Sequence, residues 1–191
     1  MDKEYIEKKL LDVQNRMRNI KNESINEVCK IGIIDMDIWE WSQGIGLYGL
    51  YQYDLFKNKP HDYIISWFDN NIKKGLPEKN VNTMCPMLTL SLLGKEIKNE
   101  KYMQLCKEWA EWVYKEMDRT KEGGIQHIVT GEENHNQVWI DTLFMTVLFL
   151  ANMGKILDKP EYIKEAEYQF LLHIKYLYDK KTGLWFHGWT F

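Results

Sequence analysis

Apolar residues recur at helical spacing along most of the chain. In the first segment the recurring residues are Ile6, Leu10, Val13, Met17 and Ile20. Intervals of three and four residues place such side chains on one face of a helix. This periodicity, interrupted by helix-ending residues such as glycine and proline, predicts seven helices, over residues 3–20, 42–57, 61–73, 84–98, 100–118, 141–156 and 160–178. Ser42 is expected to cap the second helix.

The remaining segments predict loops and little β structure. Gly123-Gly124 ends the helical pattern, and residues 125–138 read as a polar loop. Alternation of side chains in 184–189 predicts a short strand or an extended segment after a turn at 179–183, and no other strand is expected. No change in composition marks a domain boundary, so residues 1–191 are predicted to form a single domain.

The order of the helices indicates a repeat. The helices that begin near residues 42, 84 and 141 are apolar or rich in small residues, and each is followed by a more charged, amphipathic helix. This pattern predicts three helical hairpins, spaced by roughly 40 to 55 residues, after one leading helix. Such an all-α array differs from a simple bundle because each repeat packs against its neighbours.

Composition narrows the function classes. The net charge of −3 gives no electrostatic case for binding nucleic acid, and no apolar run approaches the roughly 18 residues of a membrane span. The first residues open directly into an amphipathic pattern, so no signal peptide is expected. Cys29, Cys85 and Cys106 are widely spaced and odd in number, which favours reduced thiols over disulfides or a zinc site. We therefore expect a cytoplasmic protein.

Asp141 is the leading candidate for chemistry, because it lies between Trp139 and a strongly apolar helix. Its carboxylate can cap that helix, or it can act as a general acid/base. The positive end of a helix lowers the pKa of a capping carboxylate. A general acid needs a raised pKa, which burial beside Trp139 and Phe144 could supply. The sequence leaves both roles open.

Two other patterns were considered as a metal site and a dinucleotide site, and neither has the residues that such a site needs. His127 and His135 lie in the loop before Asp141, but no cysteine or glutamate stands near them at the spacing of a zinc site. Residues 44–49 match G-x-G-x-x-G, yet no strand precedes or follows them, as a dinucleotide site requires. We expect these glycines to let an inner helix pack closely, and we expect neither a metal nor a cofactor.

Aromatic side chains cluster beside hydrogen-bonding residues in two places. Trp39 and Trp41 flank Glu40, and Trp185 and Trp189 flank His187. Indole rings can stack on the C–H face of a sugar while neighbouring polar groups bond its hydroxyls. Alternatively, the rings cover the rim of the hydrophobic core.

Four blocks of sequence, taken together, resemble the unsaturated rhamnogalacturonyl hydrolases of glycoside hydrolase family 105, which are related to the unsaturated glucuronyl hydrolases of family 88. The blocks are WEWSQGIGLYGLY (39–51), VNTMCPMLTL (81–90), WIDTLFM (139–145) and TGLWFHGW (182–189). The resemblance implies an (α/α)6 toroid, with six inner helices ringed by six outer ones. Because the family's domain is nearly twice as long, residues 1–191 are expected to form a partial, roughly half toroid that lacks the C-terminal half. Apolar faces at its open edges favour self-association.

The resemblance also implies a substrate and a reaction. The expected substrate is an unsaturated galacturonyl-rhamnose disaccharide from pectin breakdown. A carboxyl group protonates C4 of the unsaturated uronic acid, water adds at C5, and the resulting hemiketal opens and releases the aglycone. This route differs from the two-carboxylate scheme of ordinary glycosidases. The alternative is a non-catalytic remnant or half-toroid that binds carbohydrate or needs a partner chain.

Residue roles follow from the same resemblance. Asp141 corresponds to the acid/base aspartate, and His187 to a histidine that helps to hold the sugar. Asn82 stands where some relatives carry aspartate, and asparagine can bond a hydroxyl but cannot be a second acid. The residues expected to bind substrate are Trp41, Asn82, His127, Trp139, His187 and Trp189.

Overall fold

Three helical hairpins follow one leading helix in the computed structural model, which describes residues 2–21, 35–129 and 133–191. The helices are α1 (Lys3–Arg18), α2 (Trp41–Lys57), α3 (Asp62–Lys74), α4 (Val81–Glu96), α5 (Glu100–Lys115), α6 (Leu148–Leu157) and α7 (Pro160–Leu177). A π-helical turn, Leu143–Val147, leads directly into α6. Two short strands, β1 (Gln137–Trp139) and β2 (Gly188–Thr190), complete the described elements.

Helix α4 lies at the centre of the array, between α2 and α6. Every residue from 81 to 91 is buried. The helix begins three residues before its predicted start because Asn80 and Thr83 form a capping box: Asn80 Oδ1 accepts from the Thr83 N–H at 3.0 Å, and Thr83 Oγ1 accepts from the Asn80 N–H at 2.9 Å. A helix buried on all sides shows no amphipathic period, so periodicity could not locate its start.

The start of α2 differs from the prediction. Glu40, whose backbone is extended, is the N-cap residue, and the helix begins at Trp41. Ser42 therefore lies inside the first turn, where its hydroxyl donates to Gln43 Oε1 at 2.8 Å. The predicted Ser42 cap is wrong because the chain already turns into helical geometry one residue earlier.

Trp39 belongs to the hydrophobic core. Its ring stacks on Trp67 at 5.4 Å, and its Nε1 donates to the Thr83 carbonyl at 2.8 Å. For this indole the core interpretation is correct. Cys85 and Cys106 are buried free thiols, as expected, whereas Cys29 lies outside the described residues.

The two strands join distant parts of the chain. They pair antiparallel, with Val138 opposite Trp189 and Trp139 opposite Gly188. The expectation of an extended segment near the end of the chain is confirmed, although the strand covers Gly188–Thr190. The expectation that no other strand exists is wrong, because β1 lies at the end of the predicted polar loop. A three-residue strand is too short to show the alternation by which strands are recognised.

Apolar side chains remain exposed on the first and last elements of the array. On α1 they are Tyr5, Ile6, Leu10, Leu11 and Val13. At the other end they include Leu171, Ile174, Leu184, Trp185, Phe186 and Trp189. Among the described residues, no helix combines the length and the apolar composition that a membrane span requires.

Candidate active site

The inner helices begin at a common site. Glu40 occupies the N-cap position of α2, Asn82 is the second residue of α4, and Asp141 precedes the π-helical turn. Burial raises the pKa of the Cys85 thiol, and the negative charges of Glu40 and Asp141 raise it further. Both carboxylates therefore lie near the same buried sulfur, which places them at one end of the array.

Two histidines flank the carboxylate of Asp141. Oδ1 is buried and lies 3.2 Å from His127 Nδ1, while Oδ2 lies 4.0 Å from His187 Nε2. The Asp141 side chain is 29% exposed, so it remains accessible to a ligand. Within the described residues it accepts no hydrogen bond from the following turn, whose Phe144 and Met145 N–H groups instead bond the Asp141 main-chain carbonyl at 3.0 and 2.9 Å. The carboxylate thus faces the two imidazoles and does not cap the helix.

His127 is held in place by its ring and its backbone. The imidazole is buried and stacks on Trp139 with centroids 4.2 Å apart and planes 7° apart. Nδ1 lies 3.1 Å from the hydroxyl of the buried Thr142, and the His127 N–H donates to the Gln137 carbonyl at 3.1 Å. A proton on Nδ1 can be donated to Asp141 or to Thr142, so His127 can fix the orientation of the catalytic candidate.

Trp139 lies between the two histidines. Its ring centroid is 4.9 Å from that of His187, which directly precedes β2. A Cβ at Gly188 would lie 3.0 Å from Trp139 Cδ1, so glycine is what allows the indole to approach β2. Trp139 Nε1 donates to Gln137 Oε1 at 2.9 Å, which fixes the ring. The pairing of β1 with β2 thereby brings the rings of Trp139 and His187 together near Asp141.

His173, on α7, contacts the main chain of Trp139 and was not among the residues predicted from the sequence. The side chain is fully buried, with Nδ1 2.7 Å from the Gln169 carbonyl and Nε2 3.2 Å from the Trp139 carbonyl. A neutral imidazole carries one N–H and bonds one of these acceptors, whereas a protonated ring bonds both. The available signal was a histidine at a buried helical position between Gln169 and Leu177.

Acid should destabilise the fold through His173. Burial lowers its pKa below 6.5, so the unfolded chain binds this proton first as the pH falls. The free energy of unfolding should therefore decrease between about pH 7 and about pH 5. In His173→Gln the glutamine supplies an amide N–H donor in place of the ring N–H, but it does not titrate. Urea denaturation at the two pH values should show a smaller decrease in the free energy of unfolding for His173→Gln than for the parent. His135→Gln, in an exposed loop, should show the same decrease as the parent. If the free energy of unfolding of His173→Gln fell with pH as much as that of the parent, the prediction would be wrong.

The other predicted binding residues lie in different surroundings. Asn82 is buried, and its side chain lies beside Glu40. Trp41 is half-buried at the start of α2 and packs against the core. Trp189 is 43% exposed, and its ring lies 5.7 Å from Tyr176 of α7. The structure thus brings together Asp141, His127, Trp139 and His187, and it directs Trp189 toward α7.

Removal of the His187 imidazole should weaken ligand binding and leave the fold intact. The side chain is 65% exposed, and the contact that ties this segment to the site is made by the His187 main-chain carbonyl, which accepts from the Ile140 N–H at 2.8 Å. His187→Ala keeps that bond. We expect an unchanged melting temperature and reduced affinity for an unsaturated uronyl disaccharide in calorimetry. His135→Ala is the matched control, and a drop of several degrees in His187→Ala would instead indicate a structural role.

The described site is thus a carboxylate set among imidazole and indole rings, beside the inner helices of an array of helical hairpins. The chain belongs to glycosyl hydrolase family 88, whose family model matches residues 13–191.

Three relatives illustrate the similarity. The chain is 31% identical, over 155 residues, to the unsaturated rhamnogalacturonyl hydrolase YesR of Bacillus subtilis (strain 168), and the match covers 79% of this chain and 45% of YesR. A crystal structure from Klebsiella pneumoniae, described as a possible member of the GH105 family, is 42% identical with a TM-score of 0.92, covering all of this chain and 52% of that one. A similar structure from Salmonella enterica is 44% identical with a TM-score of 0.92, covering all of this chain and 53% of that one.

These comparisons confirm the predicted fold and its partial extent. The chain spans about half the length of the relatives that it matches. The described hairpins therefore correspond to part of an (α/α) toroid. Within the described ranges, no group of three or more histidine, cysteine, aspartate and glutamate side chains has an arrangement that could hold a metal ion.

Proposed function

We propose that this chain carries the acid/base half of the active site of a hydrolase for unsaturated galacturonyl-rhamnose disaccharides. The observation that carries the proposal is the partly exposed Asp141 carboxylate between His127 and His187. The family membership and the similarity to YesR support the same substrate class. Asp141 is the single carboxylate assigned to proton transfer, because Asn82 cannot donate a proton.

In the proposed reaction, Asp141 donates a proton to C4 of the unsaturated uronic acid. Water then adds at C5 and loses a proton to the same carboxylate, and the hemiketal opens to release the aglycone. Oδ1 is buried, 3.2 Å from His127 Nδ1, and Oδ2 faces His187. We therefore assign to Oδ2 the exchange of protons with substrate. His187 and Trp139 provide a hydrogen-bonding group and an apolar ring beside the sugar.

A second candidate function is binding without turnover. The exposed apolar side chains of α1 and α7 favour it, because they offer surfaces for contact with another chain. In this case the chain binds carbohydrate weakly or works after pairing with another chain through these edges. Self-association through the same surfaces stays a prediction.

One experiment separates the two candidates. The absorbance of the C4–C5 double bond of an unsaturated galacturonyl-rhamnose disaccharide is followed after adding this chain alone. The measurement is repeated with a polypeptide equivalent to the uncovered half of the Salmonella relative. Loss of absorbance in either mixture supports the hydrolase. Binding of the disaccharide without loss of absorbance in both mixtures supports the binding function and overturns the hydrolase.

A further inference from the structure

Three polar side chains lie on one face of α7, which contacts α6, the π-helical turn and β2. They are Glu165, Gln169 and His173, and intervals of four residues place them above one another on the helix. Gln169 and His173 are fully buried, at positions that apolar residues usually take. A buried amide is costly unless its hydrogen-bonding groups are paired, so the partners of Gln169 indicate its role.

The Gln169 side chain bonds the main chain of the loop that leads to His127. Its Oε1 accepts from the Ile125 N–H at 2.9 Å, and its Nε2 donates to the Gly123 carbonyl at 2.9 Å and to Glu165 Oε1 at 2.8 Å. A flipped amide would pair donor with donor and acceptor with acceptor. The main chain of the loop therefore dictates a single orientation of the Gln169 amide.

The loop has no spare room at this point. Gly124 is buried between α7 and β1, where an added Cβ would lie 2.6 Å from Leu172 Cδ2 and 2.7 Å from Val138 Cγ1. His127 follows three residues later, and its ring stacks on Trp139 with centroids 4.2 Å apart. A shift of the loop therefore moves the imidazole relative to the indole.

A second path runs from Gln169 to the other ring of the stack. The Gln169 carbonyl lies 2.7 Å from His173 Nδ1, and His173 Nε2 lies 3.2 Å from the Trp139 carbonyl. This path uses the main chain of Gln169, so a substitution of its side chain leaves the path in place. The side chain thus sets the loop of His127 against a tryptophan whose main chain is fixed independently.

We propose that Gln169 is a positioning residue of the active site, whose side-chain amide sets the His127 ring against Trp139 and thereby beside Asp141. His127 Nδ1 lies 3.2 Å from Asp141 Oδ1, so a shift of the ring changes the surroundings of the acid/base carboxylate. A misplacement of about 1 Å in an active site can lower the rate about a hundredfold. Where it concerns turnover, this inference rests on the proposed function, and its first test needs no turnover.

Fluorine NMR of the chain labelled with 5-fluorotryptophan reads the stack directly. The chain has eight tryptophans, and the resonance of Trp139 is identified by its loss in Trp139→Phe. Gln169→Met keeps the length of the side chain and removes its hydrogen bonds. We expect it to move the Trp139 resonance by more than the linewidth, because the shielding from the His127 ring changes. Gln169→Glu, which accepts from the Ile125 N–H but has no N–H for the Gly123 carbonyl, should move it too.

Two control substitutions separate this role from a general loss of stability. Gln104→Met makes the same change on the exposed face of α5, and Ser91→Ala removes a buried hydroxyl of α4 that accepts from Asn152 Nδ2 at 2.8 Å. Both should leave the Trp139 resonance in its parental position. In a mixture that turns over the unsaturated disaccharide, kcat should fall at least about tenfold in both Gln169 variants, with little change in KM, and should stay parental in the controls.

The outcomes distinguish this inference from the proposed function. An unmoved Trp139 resonance in the folded variants, or a moved resonance with parental kcat, overturns the inference and leaves the function standing. Failure of both Gln169 variants to fold also overturns it, because Gln169 would then hold the whole fold and not the site. A moved resonance with reduced kcat supports it. If the parent turns over no disaccharide in any mixture, the proposed function is wrong, and the resonance alone decides whether Gln169 positions the stacked rings.

Discussion

Replacing Asp141 with asparagine is expected to lower turnover by at least about a hundredfold in an active form of the protein, with little change in melting temperature. Asparagine cannot give a proton to C4 or take one from water. The fold should tolerate the change because the Asp141 carboxylate makes no bond to the turn that follows it, and the main-chain carbonyl that does so is unaltered. The checks are the rate of absorbance loss from the unsaturated disaccharide and a thermal melt.

A matched control is Asp62→Asn, at the exposed first residue of α3. This change removes the same charge at the start of a helix outside the cleft, so turnover should stay at the parental value. Parental turnover in Asp141→Asn would leave the proposed mechanism without its proton donor. A large drop in melting temperature in that variant would mean that contact with His127 holds the site together.

The second large effect is expected from Gly44→Ala. A Cβ at Gly44 would lie 2.7 Å from the Cys85 carbonyl carbon and the Pro86 nitrogen, both in the backbone of α4. Backbone atoms in a fully buried helix cannot move aside, so α2 and α4 must separate. Overpacking of this kind costs about 1–3 kcal/mol or more, and the separation would also displace Glu40 and Asn82. Chemical denaturation should show a loss of at least about 2 kcal/mol in the free energy of unfolding.

Gly49 offers a control in the same helix. A Cβ there meets nothing within 4 Å, and Gly49 is exposed. Because alanine favours the helical backbone more than glycine does, Gly49→Ala should increase the free energy of unfolding by about 0.5–1 kcal/mol. Equal effects of the two substitutions would mean that helix propensity, and not the contact with α4, determines the result.

Periodicity predicted the helices well because each outer helix buries one face and exposes the other. It predicted their starts poorly where local bonds decide them, as at the capping box of Asn80 and Thr83. The helix predicted over 141–156 begins instead with a π-helical turn. No residue pattern predicts a π-helical turn, although such turns are frequent at functional sites.

Parts of the candidate site were predictable and others were not. The resemblance singled out Asp141 and His187, and the structure brings them together through the pairing of β1 and β2. Periodicity could not have revealed that pairing, because each strand has three residues. His173 was not predicted, for a different reason. A histidine within a helix is ordinary in sequence, and its two carbonyl partners, those of Gln169 and Trp139, come together only on folding.

The pairing of β1 with β2 also has a consequence for folding kinetics. His187 reaches Asp141 after the chain has passed through α6 and α7, so the two meet by closing a long loop. Such non-local contacts form late because loop closure costs chain entropy before any contact compensates for it. The Ile140 amide, bonded to the His187 carbonyl at 2.8 Å, should therefore gain protection from solvent exchange together with the packing of α7. Assembly of the site and closure of the third hairpin then become one cooperative event.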